Sequence, residues 1–166
     1  MNLAKQMLEQ HVEMLGRFKN PSTSLTFFHQ WLLDNGEEFG PAIRIRGKPL
    51  RKIKQCYSNS MRALMYYSVD KSEWFYTEGV VVTDNLPIMI DHAWLSNRKG
   101  EVLDLTLRSQ KSATYYGVPF KFDHAFTKTM KKGYYGLYSN GCMYNQDIVG
   151  KPVAKRNRAW PKQGET

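Results

Sequence analysis

The chain has 166 residues, of which 42% are hydrophobic and 13% aromatic, and its formal net charge is +9. This length and apolar content predict one domain, over residues 1–150, with a hydrophobic core that needs no disulfide framework. The two cysteines, Cys56 and Cys142, lie far apart in the sequence. Their number and spacing exclude a disulfide scaffold and argue against a zinc site. The positive charge favours polyanions or acidic partners.

The N-terminal residues lack the charged and then apolar arrangement of a signal peptide. No apolar run approaches the roughly 20 residues that span a bilayer. We therefore expect a cytoplasmic protein without a membrane interaction, in a compartment where cysteine thiols stay reduced.

The first half of the chain carries helical patterns on both sides of a basic segment. Apolar residues at helical spacing predict helices over 2–18 and 23–34. The basic segment, residues 44–54, contains no acidic residue, and its glycine and proline argue against a regular helix. Helical spacing resumes at Cys56 and continues to about Asp70.

Beyond residue 70 the apolar pattern predicts strands. The first covers residues 74–82 with a kink or bulge at Gly79, the second covers 88–95 and the third 101–107. A hairpin turn at 96–100 joins the last two, and short loops favour antiparallel pairing. We therefore predict an α+β fold in which the N-terminal helices and the helix after the basic segment pack on an antiparallel sheet.

The C-terminal third has weaker patterns. Residues 115–120 form an aromatic loop or the start of a short strand, and residues 122–131 form a helix that Gly133 ends. Residues 151–166 are basic with little apolar content, which predicts a mobile tail.

Cys56, His92 and Asp104 are the candidate catalytic residues. A cysteine attacks as the thiolate, and the start of a helix after a basic run favours that anion. A neighbouring imidazole takes the thiol proton, and a carboxylate fixes the orientation of the imidazole. His92 and Asp104 lie at comparable distances from the predicted hairpin turn, so the register decides whether they share a face.

The order of Cys56, His-Ala-Trp at 92–94 and Asp-Leu-Thr at 104–106 resembles the transglutaminase-like branch of the papain-like cysteine enzymes. In that family the nucleophile opens a helix that packs on an antiparallel sheet. The resemblance implies that Cys56 is the nucleophile, His92 the base and Asp104 the orienting carboxylate.

The resemblance covers residues 50–107 and includes departures, one of which is the short loop between the histidine and aspartate strands. Trp94 and Thr106 match structural members of the family's motifs, whereas Leu105 stands where the family usually has proline. An oxyanion hole needs donors fixed at the developing charge, for which we favour the backbone amide of Cys56. The further candidates for the oxyanion hole or for substrate binding are Gln55, Asn59, Glu78, Trp94 and Tyr116.

Two functions follow. The first is a cysteine-dependent acyl-transfer enzyme without metal or cofactor, since no ligand spacing or nucleotide motif occurs. It would act on an amide or thioester of a protein or peptide-like substrate of acidic character, as a hydrolase, a deamidase or a transglutaminase-type enzyme. The alternative is a basic module that binds nucleic acid or an acidic protein through residues 44–54 and the tail, with the thiol unused.

Overall fold

The computed structural model describes residues 2–17, 24–43, 52, 54–66, 69–84, 86–107, 112–133, 135–137 and 154–162. Cys142 and most of the basic segment lie outside these ranges. The helices are α1 (Leu3–Gly16), α2 (Ser24–Asn35), α3 (Cys56–Met65) and α4 (Phe122–Lys132). The strands are β1 (Glu37–Phe39), β2 (Phe75–Thr83), β3 (Leu86–Ser96), β4 (Val102–Leu103) and β5 (Thr114–Phe120). A 3-10 helix follows at Lys155–Asn157.

The described strands form one antiparallel sheet in the order β1-β5-β2-β3-β4. Helix α3 packs on β2 and β3, and α1 and α2 pack on β5. The predicted α+β fold, with helices packed on an antiparallel sheet, is confirmed. No helix within the described ranges has the length and apolar character needed to cross a membrane.

Two hydrophobic clusters lie on opposite faces of the sheet, because alternate residues of a strand point to opposite sides. We call one the helix face, where strand residues such as Tyr76 and Val118 pack with Leu8, Met61 and Leu64 of the helices. We call the other the aromatic face. It is built from Phe39, Val81, Trp94, Val102 and Tyr115.

Strand β5 goes beyond the prediction of an aromatic loop or the start of a short strand, because Thr114–Phe120 form an interior strand of the sheet. It pairs with β1 on one side and β2 on the other. Residues 115–120 are all buried, so this strand has apolar residues on both faces. A strand buried on both faces lacks the polar and apolar alternation by which a strand is recognised.

The helix that begins at Cys56 is shorter than predicted. It ends at Met65, where Tyr66 leaves the helical conformation with φ −97° and ψ 22°. The buried side chains of α3 include Met61, Ala63 and Leu64, which pack in the helix-face cluster. The helix therefore has only the length that its apolar side requires to cover the sheet.

Gly79 does not kink β2, as the sequence analysis expected. The irregularity lies between Val81 and Thr83, and Gly79 itself pairs with His92 and with Gly117. A methyl group on Gly79 would collide with the carbonyl oxygen of Tyr116. The glycine is needed for the close approach of β5, not for a bend.

The third predicted strand, residues 101–107, is reduced to Val102–Leu103. Asp104 ends it, because its carboxylate oxygen Oδ1 accepts hydrogen bonds from the backbone amides of Thr106 at 2.8 Å and Leu107 at 2.9 Å. An aspartate whose side chain accepts from the amides two and three residues later forms a turn, and the chain no longer continues the hydrogen bonding of the sheet.

Residues 154–162, predicted to belong to a mobile tail, pack against the sheet. Arg158 pairs with Phe120 and is only 4% exposed. Its guanidinium donates to the carbonyl oxygen of Asn35 at 2.6 Å. Trp160 contacts the rings of Phe39 and Phe75. The aromatic ring and the buried arginine hold a segment whose basic composition predicted a solvated chain.

Candidate active site

His92 and Asp104 form a direct hydrogen bond, with 2.7 Å between His92 Nε2 and Asp104 Oδ2. Both residues are buried, at 5% and 2% exposure. Strands β3 and β4 pair Leu95 with Leu103, and this register, continued by one residue, sets Asp104 opposite Trp94. Because Trp94 and His92 lie two residues apart in β3, they share the aromatic face, and Asp104 reaches His92 diagonally.

Cys56 is the first residue of α3 and lies beside His92. Its thiol is close enough to the imidazole to help raise the pKa of His92, and Cys56 is 8% exposed. Since Nε2 of His92 bonds Asp104, we assign Nδ1 to the contact with the thiol. Ser60, one turn further along α3, donates to the carbonyl oxygen of Ala93 at 3.1 Å, which fixes the start of the helix next to the histidine.

The charge of His92 is set by competing influences. Burial alone lowers the pKa of His92, but the carboxylate of Asp104 and the contact with Cys56 outweigh it and raise the pKa to about 10. The imidazole is therefore protonated at neutral pH. An imidazolium next to a thiol is the partner that a reactive thiolate needs.

Backbone amides and side chains both donate hydrogen bonds to the carboxylate of Asp104. The backbone amides of Thr106 and Leu107 bind Oδ1, while His92 and the hydroxyl of Tyr115, at 3.1 Å, bind Oδ2. Burial alone raises the pKa of Asp104, but His92 and the amides outweigh it, so the pKa lies below its ordinary value. The group is a fixed anion at neutral pH.

Tyr115 is a residue of the site that the sequence analysis missed. Tyr116 was the candidate, but it lies on the helix face, where its hydroxyl donates to the carbonyl oxygens of Leu33 at 3.2 Å and Gly36 at 3.1 Å. The structure therefore does not bring Tyr116 to the thiol. Two adjacent tyrosines in a strand point to opposite faces, and nothing in the sequence tells which one faces Asp104.

Asn59, a candidate for the oxyanion hole, uses its side-chain amide to connect segments of the chain. Its side-chain nitrogen donates to the carbonyl oxygen of Lys52 at 2.7 Å and to Oγ1 of Thr106 at 2.9 Å. These two bonds use both protons of the amide group. Asn59 thereby ties the loop that carries Asp104 to α3.

Two further candidates from the sequence lie in different places: Glu78 in β2 and Gln55 directly before α3. Glu78 is buried on the helix face and accepts hydrogen bonds from the hydroxyl of Tyr76 at 2.6 Å and from the amide of Leu137. Burial raises the pKa of Tyr76, with further contributions from Glu78 and Cys56. Gln55 precedes Cys56, is exposed, and makes no side-chain capping hydrogen bond.

Trp94 packs against the imidazole on the aromatic face. Its ring stacks on that of His92 with centroids 6.2 Å apart and an interplanar angle of 20°, and it contacts Tyr115 at 5.1 Å. The indole Nε1 is buried and has no hydrogen-bond partner among the described residues. Trp94 thus limits the movement of the His92 ring.

The part of the chain that the structure describes contains no group of three or more His, Cys, Asp or Glu arranged to hold a metal ion. Comparisons with protein-family models, curated proteins and solved structures find no match to this chain. The functional interpretation therefore depends on the geometry of these residues and on the motifs in which they occur.

Proposed function

We propose that this protein is a cysteine-dependent acyl-transfer enzyme, with Cys56 as nucleophile, His92 as general base and acid, and Asp104 as the orienting carboxylate. The observation that supports it is the 2.7 Å hydrogen bond between His92 and Asp104, beside the start of α3, where the thiol of Cys56 interacts with the same imidazole. A thiol, an imidazole and a carboxylate, the three groups that thiol catalysis uses, thus lie together.

In the proposed reaction the thiolate of Cys56 attacks the carbonyl carbon of an amide or thioester. The negative charge passes to the carbonyl oxygen, where the backbone amide of Cys56 in the first turn of α3 is the proposed donor. His92 gives its proton to the leaving amine or thiol, and the acyl group stays on the sulfur. Water or an amine then attacks this thioester while His92 takes its proton. The bond between the acyl carbon and the sulfur breaks, and Cys56 leaves as the thiolate beside the imidazolium.

Protein or peptide-like acyl groups are the proposed substrates, as the resemblance to the transglutaminase-like enzymes implies. The net charge of +9 favours acidic ones, because it raises the rate of encounter with anionic partners. In the proposed mechanism water and amine acceptors share the first half-reaction. The hydrolase, deamidase and transglutaminase-type activities thus depend on one acyl-enzyme.

The test is alkylation of the folded protein with iodoacetamide from about pH 5 to about pH 9, with each cysteine mapped by mass spectrometry. Cys142 is the internal control, and His92→Ala is the comparison. We expect Cys56 to react fast below neutral pH and to slow at least about tenfold in the His92 variant. Equal reaction of Cys56 with and without His92 would overturn the proposal. In that case a steep loss of nucleic-acid affinity with salt would support the binding-module alternative.

A second measurement tests the chemistry itself. The protein is incubated with activated acyl esters and peptide thioesters, and intact-mass spectrometry follows the addition of one acyl group. We expect the acyl group on Cys56 and its loss on adding hydroxylamine or a primary amine. Cys56→Ser and His92→Ala should show no such adduct, because the first lacks the thiol and the second lacks its base.

A further inference from the structure

Tyr115 reaches the candidate site from a strand that is not adjacent to the one that bears the histidine. In the order of the sheet, β2 lies between β5 and β3. Even so, the hydroxyl of Tyr115 donates to Oδ2 of Asp104 at 3.1 Å, and the Tyr115 side chain is fully buried. The contact joins the centre of the sheet to the loop after β4.

We infer that Tyr115 is a positioning residue of the triad, which keeps the Asp104 carboxylate ionised and oriented toward His92. The inference rests on the proposed function and extends it by a fourth side chain. The geometry supports it: Asp104 lies in the loop after β4, and its carboxylate accepts a hydrogen bond from Tyr115 of the interior strand β5.

The hydrogen-bond inventory of Asp104 shows why the hydroxyl matters. A carboxylate has about four acceptor positions, and Asp104 uses two on Oδ1 for backbone amides and two on Oδ2 for His92 and Tyr115. The amides of Thr106 and Leu107 belong to the same loop as Asp104. Tyr115 and His92 therefore both tie the carboxylate to strands of the sheet.

The hydroxyl of Tyr115 can act only as a donor in this contact. Burial and the neighbouring Asp104 raise the pKa of Tyr115 far above its ordinary value, so the phenol stays protonated. The groups around the carboxylate are then the imidazolium of His92 and a neutral hydroxyl, with Cys56 beyond the imidazole. Removing the hydroxyl leaves the anion with one donor fewer in a buried place, which favours its protonated form.

The experiment compares Tyr115→Phe with Tyr116→Phe in the alkylation assay. The second variant removes the hydroxyl of the neighbouring residue, which lies on the helix face and donates to the carbonyl oxygens of Leu33 and Gly36. We expect Tyr115→Phe to move the acid limb of the Cys56 rate profile to higher pH and to slow the reaction by about three- to tenfold. Tyr116→Phe should keep the wild-type profile.

Asp104→Asn separates a positioning role from a general packing role. If Tyr115 acts through the carboxylate, Tyr115→Phe should have no further effect on reactivity or on its pH profile in the Asp104→Asn background. An effect of equal size in both backgrounds would show that the hydroxyl only supports the fold, and would overturn the inference. Circular dichroism and thermal melting of each variant identify any loss of folding.

The inference and the proposed function fail in different ways. If wild-type Cys56 reacts in a His92-dependent manner but Tyr115→Phe follows the wild-type profile, the triad stands and the role of Tyr115 is refuted. If wild-type Cys56 shows no dependence on His92, the proposed function fails and the positioning role fails with it.

Discussion

Gly79 of β2 and Gly117 of β5 are paired in the sheet, and together they leave a floor without side chains on the aromatic face. The ring of Trp94 lies on this floor. Its Cη2 atom is 2.6 Å from the point where a Cβ of Gly117 would lie. Gly79 also pairs with His92, whose ring stacks on Trp94. The position of the imidazole thus depends on two glycines from different strands.

Gly117→Ala is expected to destabilise the protein by about 3 kcal/mol, because overpacking moves backbone and aromatic side chains. The new methyl group would lie 2.6 Å from both the carbonyl oxygen of Glu78 and the Trp94 ring, and neither can move without disturbing β2 or His92. Urea unfolding followed by tryptophan fluorescence measures this loss.

The matched control for this glycine is Gly16→Ala. Gly16 is the last residue of α1, and a Cβ there would meet no atom within 4 Å. We expect no loss of stability, and at most a gain of up to about 1 kcal/mol from the higher helix propensity of alanine. A Gly117→Ala protein that unfolds at the same urea concentration as Gly16→Ala would contradict the proposed floor.

Asn59→Ala and Thr106→Val test whether Asn59 is a connector or an oxyanion donor. Both substitutions break the 2.9 Å bond that ties the Asp104 loop to α3. We expect each to cost about 1–3 kcal/mol of unfolding free energy, because a buried polar partner is left unpaired.

The same two variants are compared in the acylation assay. If Asn59 is a connector, both variants should lose a similar part of the acylation rate. The double variant should then lose less than the two separate effects combined. If Asn59 is instead an oxyanion donor, Asn59→Ala should abolish acylation, whereas Thr106→Val should keep a rate near that of the wild type. The second pattern would refute the structural role assigned here.

The pair of His92 and Asp104 predicts a particular dependence of stability on pH. The pKa of His92 is raised from 6.5 to about 10, so its contribution is complete below about pH 6.5 and is lost as the pH rises toward 10. The pKa of Asp104 is lowered, so its contribution is present above its unfolded value of 3.8 and is lost on acidification through the folded pKa.

The free energy of unfolding of the wild-type protein should therefore fall by up to about 1.4 kcal/mol per pH unit above neutrality, because the folded state holds the His92 proton that the unfolded state releases. Asp104→Asn should flatten that slope, since it removes the charge that holds the proton on His92. Asp123→Asn, at an exposed position in the first turn of α4, should keep the wild-type slope. The measurement is urea unfolding at a series of pH values. Parallel slopes for wild type and Asp104→Asn would contradict the assignment of charge.

Arg158→Ala is expected to destabilise the fold by about 3 kcal/mol, because it removes a buried guanidinium from the groups that it contacts. Arg158 donates to the carbonyl oxygen of Asn35 and lies 3.7 Å from the carboxylate of Glu37. Arg156→Ala removes an exposed arginine two residues away and should leave the thermal melting temperature unchanged. If both variants melt together, the C-terminal segment does not contribute to the stability of the sheet.

The local patterns of the sequence predicted the helices and most of the central hairpin. Helical spacing gave α1, α2 and the start of α3 at Cys56, and alternation gave β2 and β3. The order of Cys56, His92 and Asp104 predicted a juxtaposition that the structure contains. The helices and strands follow from residues close together in the chain, where spacing fixes which side chains share a face. The three site residues come from separate elements, and the order of their motifs indicated them.

Only the tertiary structure decided how the site is supported. Tyr115 reaches Asp104 across the two intervening strands β2 and β3, and Asn59 meets Thr106 from a different element. Arg158 comes from the far end of the chain to Asn35. These contacts depend on which strands become neighbours, and that choice is made by burial over the whole molecule, which a local pattern does not encode. The sequence by itself determined the candidate residues and their order, while the packing of distant segments determined what holds them in place.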